Sequence, residues 1–305
     1  MQLIDILLFS EPQEANLLLV KFNLEKDLVD KWIICESPYT FQGEYKGVFA
    51  KELLMNDSRF AEFRDRIIII NPADNFTPLH DGVNDEGKNF DRENAQRGMG
   101  LSYLLQNNFD SDDWIMISDT DECIDSNDIE RRKQLVNLLS MTSTPIFKLQ
   151  RMRYWYDFDN RCYLPNIHIP FVKMGLLRQN NQFINARHFD HIPKFNMNKG
   201  ESNDDNCLAF EYSYCFPSLE DVWRKKCTYS HTGFTMESVQ QALACNHWPR
   251  SPLRGEKVGQ EPYDYFEFVT LTERNSPKYV RDNLSWLKTN IVSKDYKENR
   301  KNAIQ

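Results

Sequence analysis

The sequence predicts an α/β protein with one main domain, built on a mostly parallel central sheet that is flanked by helices. Two observations favour this fold class. Over the first half of the 305-residue chain, short β-branched apolar runs alternate with segments of helical periodicity, which is typical of βα units. One run, Ile67-Ile68-Ile69-Ile70, is apolar at every position, as expected of a strand covered on both faces.

The first half contains four predicted strands and three predicted helices. The strands cover residues 3–9, 32–36, 66–70 and 114–118. The first helix covers residues 12–25 and the second residues 91–106, both with apolar side chains at helical spacing. The third helix is expected to begin after Asp125-Ser126, which has the composition of an N-cap.

The second half is predicted to combine aromatic strands with helices. The strands lie near residues 146–156 and 171–174, and the helices near residues 219–226 and 235–245. Ser276-Pro277 is expected to start a further helix, with Pro at its first position. We therefore expect a main domain at residues 1–250, followed by a helical C-terminal extension and polar tail at 251–305.

Composition excludes some classes of protein and favours a compartment. The formal net charge of -8 argues against a protein that binds nucleic acid through its phosphates. The seven cysteines form no tight framework, which favours free thiols in a reducing compartment. The apolar stretch at residues 3–9 is too short to span a bilayer and has no basic segment before it. The expectation is a soluble, cytoplasmic protein without a signal peptide or transmembrane segment.

The most informative segment is the predicted fourth strand, which leads directly into Asp119-Thr120-Asp121. Because residues two apart on an extended chain point to the same side, Asp119 and Asp121 can present their carboxylates together. They would do so at the carboxyl end of the sheet, where open α/β folds bind ligands. Two such carboxylates suit a hard divalent cation, Mn²⁺ or Mg²⁺. The alternative is that these acids only cap the following helix.

Six stretches resemble motifs of glycosyltransferase family 17, in the same order along the chain. Residues 117–122, Ile-Ser-Asp-Thr-Asp-Glu, are similar to the family's I-S-D-x-D-E, and residues 36–43 are similar to its E-S-x-Y-T-F-x-G. The other four are residues 9–11 with the helix that follows, residues 63–68, residues 93–97, and Ser230-His231 with Gly233 and His247. The resemblance covers residues 3–248 and is weaker between 156 and 227. Ser230 stands where the family has Trp, and Cys123 where it has Ile.

The family is that of the β-1,4-mannosyl-glycoprotein 4-β-N-acetylglucosaminyltransferases, and the resemblance implies a single GT-A type domain with a Rossmann-like sheet. Residues 1–125 would form the nucleotide-sugar donor half and residues 126–250 the acceptor half. It implies an inverting, metal-dependent transfer of a sugar from a UDP-sugar donor, N-acetylglucosamine above all, to a hydroxyl of a glycan acceptor. Asp119 and Asp121 would hold Mn²⁺ or Mg²⁺, with His231 as a third ligand or a diphosphate contact.

The resemblance also implies which residues contact the donor. They are Phe9, Ser10, Glu11, Glu36, Ser37, Asn94, Arg97 and Asp119. Asn94 and Arg97 lie three apart on one helix face, and the Arg97 guanidinium could bind a diphosphate in a forked geometry. Its alternative is an ordinary ion pair with Glu93. The candidates for the catalytic base are Asp204 and Asp205, with Asp190 or Glu211 as alternatives, while Glu122 is expected to brace the acidic loop.

Several alternatives stay open at this level. The donor could be UDP-glucose or UDP-galactose, or the chain could be a non-catalytic carbohydrate-binding scaffold. A zinc site could form from Cys227, His231, Cys245 and His247, although the Cys-x-His spacing is too tight for most structural sites. The aromatic run at residues 154–156 could present a stacking face to an acceptor sugar or simply be a buried strand.

Overall fold

The computed structural model describes residues 1–71, 86–162, 168–188, 192–195, 207–230, 232–246, 266–294 and 296. The strands in these ranges are β1 (Leu3–Phe9), β2 (Lys31–Glu36), β3 (Ile67–Ile70), β4 (Trp114–Asp119), β5 (Glu122–Ile124), β6 (Ile146–Trp155), β7 (Asn160–Cys162), β8 (His168–Lys173), β9 (Lys194–Phe195), β10 (Ala209–Ser213) and β11 (Phe266–Phe268). The α-helices are α1 (Ala15–Glu25), α2 (Ala50–Asn56), α3 (Glu86–Gln106), α4 (Ile129–Met141), α5 (Met174–Gln179), α6 (Leu219–Thr228), α7 (Met236–Cys245), α8 (Lys278–Asp282) and α9 (Leu284–Asn290). No helix within the described ranges has the length and apolar character needed to cross a membrane.

The first half forms a parallel sheet in the order β3-β2-β1-β4. Strand β1 is buried along its whole length because both of its faces are covered. On one face Leu3 and Leu7 belong to the same apolar cluster as Phe22 of α1. On the other face Ile4 and Ile6 pack in a second cluster with Leu101 and Leu104 of α3. This alternation explains why the strand is apolar at nearly every position.

The second half extends the sheet with mixed pairing. Strand β8 is antiparallel to both β4 and β6, and β7 and β11 continue the sheet in antiparallel fashion. Strand β10 runs parallel to β6 on one side and antiparallel to β5 on the other. A third apolar cluster, rich in aromatic side chains, lies under this half and includes residues of α8 and α9.

The predicted fold class, an α/β domain with a mostly parallel sheet flanked by helices, is confirmed. The predicted strands agree with β1 to β4 to within one residue at each end. Beyond the helices expected there, the C-terminal extension also supplies β11, which pairs with β7.

Three predicted helix starts are wrong: α3 begins at Glu86 instead of residue 91, and the starts of α4 and α8 also differ. Helix α4 is capped by Asp128, whose side chain accepts hydrogen bonds from the backbone N–H groups of Glu130 (3.0 Å) and Arg131 (2.9 Å). Asp125 accepts from the Arg131 guanidinium at 2.6 Å and from the N–H of Asp128, the cap itself, at 3.4 Å. Pro277 is the N-cap of α8 and not its first helical residue.

The aromatic run at residues 154–156 is a buried strand end. Tyr154, Trp155 and Tyr156 are at most 1% exposed and belong to the third cluster. Because their rings face other side chains of the protein, they do not form an open stacking face for a sugar. The buried alternative is the correct one.

Candidate active site

The candidate site lies where β1, β2 and β4 end. In the parallel register Phe9 is opposite Glu36, and Leu8 is opposite Asp119. The carboxyl ends of these three strands therefore meet at one edge of the sheet, as the sequence predicted for Asp119. The turns that leave this edge carry Ser10 and Ser37, both buried.

Both the side chain and the backbone of Asp119 form hydrogen bonds within the protein. Its Oδ1 accepts a hydrogen bond from the Arg97 guanidinium at 3.1 Å, and its backbone N–H donates to Glu122 Oε2 at 3.1 Å. Its side chain is 15% exposed, whereas that of Arg97 is 2% exposed. Arg97 also donates to the carbonyl of Ser118 at 3.2 Å. The buried Arg97 thus fixes the position of the Asp119 side chain, and Glu122 stabilises the loop through the backbone of Asp119, as expected.

The same arginine connects Asp119 to a segment late in the chain. Arg97 donates to Glu93 Oε1 at 3.2 Å, and Glu93 Oε2 accepts a hydrogen bond from the Ser230 hydroxyl at 2.5 Å. The carbonyl of Ser230 accepts from the Asn89 side chain at 3.1 Å. Helix α3 therefore ties the residue before position 231 to the acidic loop. Asn94, on the same helix, is half-buried.

The carboxyl group of Asp121 is buried among other acidic side chains, which disfavour its ionised form. Its Oδ2 lies 3.3 Å from the Ser213 hydroxyl, whose single proton also has Glu211 Oε1 as a closer acceptor. Burial raises the pKa of Asp121 to about 7, against the opposing charge of Lys225. Three neighbouring carboxylates add to this rise: Glu211, Asp119 and Glu122. A cation placed against Asp121 would restore the ionised form.

Glu211, an alternative base candidate, is committed to two arginines. Its Oε2 accepts from Arg151 at 2.8 Å and from Arg153 at 2.6 Å. Burial alone would raise the pKa of Glu211, but the two guanidinium groups outweigh it and lower the pKa to about 2. A carboxylate with so low a pKa is a poor proton acceptor near neutral pH. Glu211 is therefore unsuited to the role of base.

The side chains of Glu36 and Ser37 accept hydrogen bonds from backbone N–H groups at this edge. Glu36 Oε1 accepts from the N–H of Phe49 at 2.6 Å and Oε2 from the N–H of Ala50 at 3.0 Å, so the side chain caps the start of α2. The hydroxyl of Ser37 accepts from the N–H of Tyr39 at 3.1 Å. Both residues shape the walls of the site through these contacts.

The sequence did not point to Glu14 and Lys225. Glu14 Oε2 accepts from the backbone N–H groups of Ser10 at 2.8 Å and Glu11 at 3.3 Å, while Oε1 is ion-paired with Lys225 Nζ. The spacing of Glu11 and Glu14 fits a reciprocal cap at the start of a helix, which was the available signal for Glu14. Lys225 lies 211 residues further along the chain, and no local pattern marks it.

Several predicted residues lie outside the described part of the chain. They are His231, Asp204, Asp205, Asp190 and His247, together with the side chain of Cys245. The proposed third metal ligand, both base candidates and the possible zinc site thus stay predictions. Within the described residues, no group of three or more histidine, cysteine or carboxylate side chains could hold a metal ion.

One comparison with known proteins shows the family of this chain. The family model described as glycosyltransferase family 17 matches residues 1–243. No curated protein matches the chain. Among solved structures, a crystal structure of an active-site mutant of LgtC is similar with a TM-score of 0.32 and 10% identity, covering 85% of this chain and 97% of that chain. A score this low does not align individual residues. The family match, in contrast, spans every site residue described above.

Proposed function

Since the chain belongs to glycosyltransferase family 17 and is a glycosyltransferase, we propose that it transfers N-acetylglucosamine from UDP-N-acetylglucosamine to a hydroxyl of a glycan. The observation that carries this proposal is the paired acidic loop at the carboxyl edge of the sheet. There Arg97 holds Asp119 by a hydrogen bond, and burial with neighbouring carboxylates raises the pKa of Asp121. This edge is where open α/β sheets bind nucleotides.

The residues of this loop fit a divalent cation. Asp119 and Asp121 would hold Mn²⁺ or Mg²⁺ through carboxylate oxygens, the ligands that both ions prefer. The raised pKa of Asp121 supports this assignment, because burial and nearby carboxylates oppose its ionisation until a positive charge arrives. His231 is proposed as a third ligand. When bound, the ion supplies positive charge against the leaving diphosphate.

The chain's own residues prepare the site for an inverting displacement. Arg97 and Glu122 hold the acidic loop in one conformation, so little reorganisation is required when the donor binds. Ser10, Glu11, Ser37 and Asn94 are proposed to contact the nucleotide from the turns and helix around this edge. A carboxylate at Asp204 or Asp205 is proposed to accept the proton of the acceptor hydroxyl.

The donor can be tested by thermal unfolding with a panel of nucleotides. The panel contains UDP, UDP-N-acetylglucosamine, UDP-glucose, UDP-galactose and GDP, each with and without Mn²⁺. A ligand at a hundred times its dissociation constant adds about 2.7 kcal/mol to the free energy of unfolding, which raises the midpoint visibly. We expect stabilisation by UDP and UDP-N-acetylglucosamine only with metal. A larger shift with UDP-glucose or UDP-galactose would reassign the donor, and no shift with any nucleotide would favour a non-catalytic scaffold.

The metal can be tested with Asp121→Asn. This variant keeps the shape of the side chain but removes the charge of its ionised form. We expect metal-dependent stabilisation by UDP to disappear and transfer to fall by roughly 100-fold or more, the scale of a lost transition-state contact. The matched control is Asp112→Asn, whose side chain is 82% exposed. Equal behaviour of the two variants would exclude Asp121 as a metal ligand.

A further inference from the structure

The ion pair of Glu14 and Lys225 lies at the edge of the acidic site and has no role in the function proposed so far. Glu14 follows the end of β1 and Lys225 is in the last turn of α6, so the pair joins two elements far apart in sequence. Glu14 is 1% exposed and Lys225 is 13% exposed. Lys225 Nζ also lies 5.6 Å from the centre of the Tyr229 ring.

Lys225 interacts electrostatically with carboxylates other than Glu14. Although burial opposes the effect, the carboxylates of Glu14, Asp121 and Asp119 raise the pKa of Lys225 above its ordinary value. The ammonium group therefore stays charged at neutral pH and interacts with both acids of the loop. It also acts on Glu11, where burial is the main effect and raises the pKa of the carboxyl while Lys225 lowers it.

Three arginines of this region are more deeply buried and more closely paired than Lys225. Arg97 is 2% exposed against Asp119, and Arg151 and Arg153 are 3% and 9% exposed against Glu211. Each guanidinium contacts at least one carboxylate oxygen within 3.1 Å. Of these four side chains Lys225 is the most exposed, and its flexible stem allows Nζ to move to a new partner without movement of the backbone.

We propose that Lys225 binds the diphosphate of the nucleotide-sugar, and that Glu14 is its counter-ion while the donor is absent. This inference rests on the proposed function, because it assumes a nucleoside diphosphate at the acidic loop. A diphosphate beside two carboxylates requires more positive charge than one divalent ion brings, and an ammonium group is a common point contact for phosphate. Glu14 keeps its other oxygen on the N–H of Ser10 when Lys225 leaves.

The test compares binding of UDP and of uridine, which lacks phosphate. The main variant is the double substitution Glu14→Gln with Lys225→Met, because it removes both charges of the buried pair together. The amide introduced by Glu14→Gln would still offer an oxygen to the N–H of Ser10. We expect the affinity for UDP with Mn²⁺ to fall roughly 10- to 100-fold, the usual effect of losing a hydrogen bond to a charged group. Uridine affinity should be unchanged.

The control is Arg224→Met, which removes an adjacent positive charge from the same helix. Arg224 is 58% exposed, paired with Glu220 at 3.5 Å, and is expected to leave the affinities for both ligands unchanged. If the double variant binds UDP and uridine in the same ratio as the unaltered protein, the assignment of Lys225 is overturned. If the unaltered protein binds neither UDP nor UDP-N-acetylglucosamine with metal, the proposed function itself fails. The two failures are therefore distinguishable.

Discussion

Carboxylates that are close together in this protein differ in charge state because their cationic partners differ. Glu211 faces two arginines, and its pKa falls to about 2 although burial acts in the opposite direction. Burial raises the pKa of Asp121 to about 7, and Lys225 is the cation that opposes this rise. Asp119 has Arg97 at 3.1 Å. Asp121, whose pKa stays raised despite the charge of Lys225, is thus the carboxylate whose ionised form an added cation would stabilise.

A buried cluster next to the acidic loop also contains more carboxylates than cations. Lys21 Nζ is buried at 2.8 Å from both Asp5 and Glu25, and it donates to the carbonyl of Glu122 at 2.5 Å. One ammonium group thus faces two carboxylates. Burial, opposed by Lys21, raises the pKa of Glu25 from 4.5 to about 8, and burial raises the pKa of Asp5 as well. Glu25 therefore carries a proton in the folded protein at pH values where the unfolded chain has released it.

This proton makes stability depend on pH. Between pH 4.5 and 8 the folded state binds more protons at Glu25 and its neighbour Asp5 than the unfolded state, so the free energy of unfolding falls as the pH rises through this window. Glu25→Gln removes the first of these titrating groups. We expect denaturant unfolding from pH 5 to 8 to show wild-type stability falling relative to the variant by up to about 1.4 kcal/mol per pH unit. Parallel pH profiles would contradict a raised pKa at Glu25.

At the scale of elements, the sequence predicted what local patterns determine. Strands β1 to β4 and helices α1 and α3 were predictable because their apolar residues repeat with the period of the element. The acidic loop was predictable from the strand before it. The cap of Glu36 on α2 spans 13 residues, and the pair of Glu14 with Lys225 spans 211. The periodicity of apolar residues within one element does not predict contacts between residues so far apart in sequence. The alternative for Arg97, an ion pair with Glu93, is present, and the packing of α3 also buries it against Asp119, while a contact with the donor stays a prediction.

The contact between α3 and the sheet depends on one glycine. A Cβ atom at Gly100 would lie 2.8 Å from Ile6 Cγ2 and 2.9 Å from Cys35 Sγ, whereas one at Gly98 would meet nothing within 4 Å. We expect Gly98→Ala to raise the free energy of unfolding by ~0.5–1 kcal/mol through helix propensity. Gly100→Ala has the same propensity gain, but overpacking costs ~1–3 kcal/mol, so the net effect should be destabilising. Denaturant unfolding of both variants measures the difference, and equal stabilisation would show that α3 can move away from the sheet.

At the scale of the whole molecule, the C-terminal segment is packed into the sheet domain. The family match ends at residue 243, but Arg131 of α4 donates to the carbonyls of Glu273 at 2.6 Å and Arg274 at 2.9 Å. Val280 and Leu287 are fully buried in the cluster that contains the aromatic end of β6. The half of the sheet that follows β4 therefore buries its apolar face partly against residues beyond the family match.

It follows that this segment should unfold together with the rest of the domain. Leu287→Ala creates a cavity in the shared cluster and should lower the free energy of unfolding by ~2–5 kcal/mol. Its neighbour on α9, Trp286, is 36% exposed, and Trp286→Ala should change stability by only about 0.5 kcal/mol. Circular dichroism during denaturation, with UDP binding measured in parallel, would reveal the coupling. If Leu287→Ala produces a separate early transition while UDP binding persists, the segment is an independent unit; a single transition at lower denaturant, with binding lost in step, is the result that shared packing predicts.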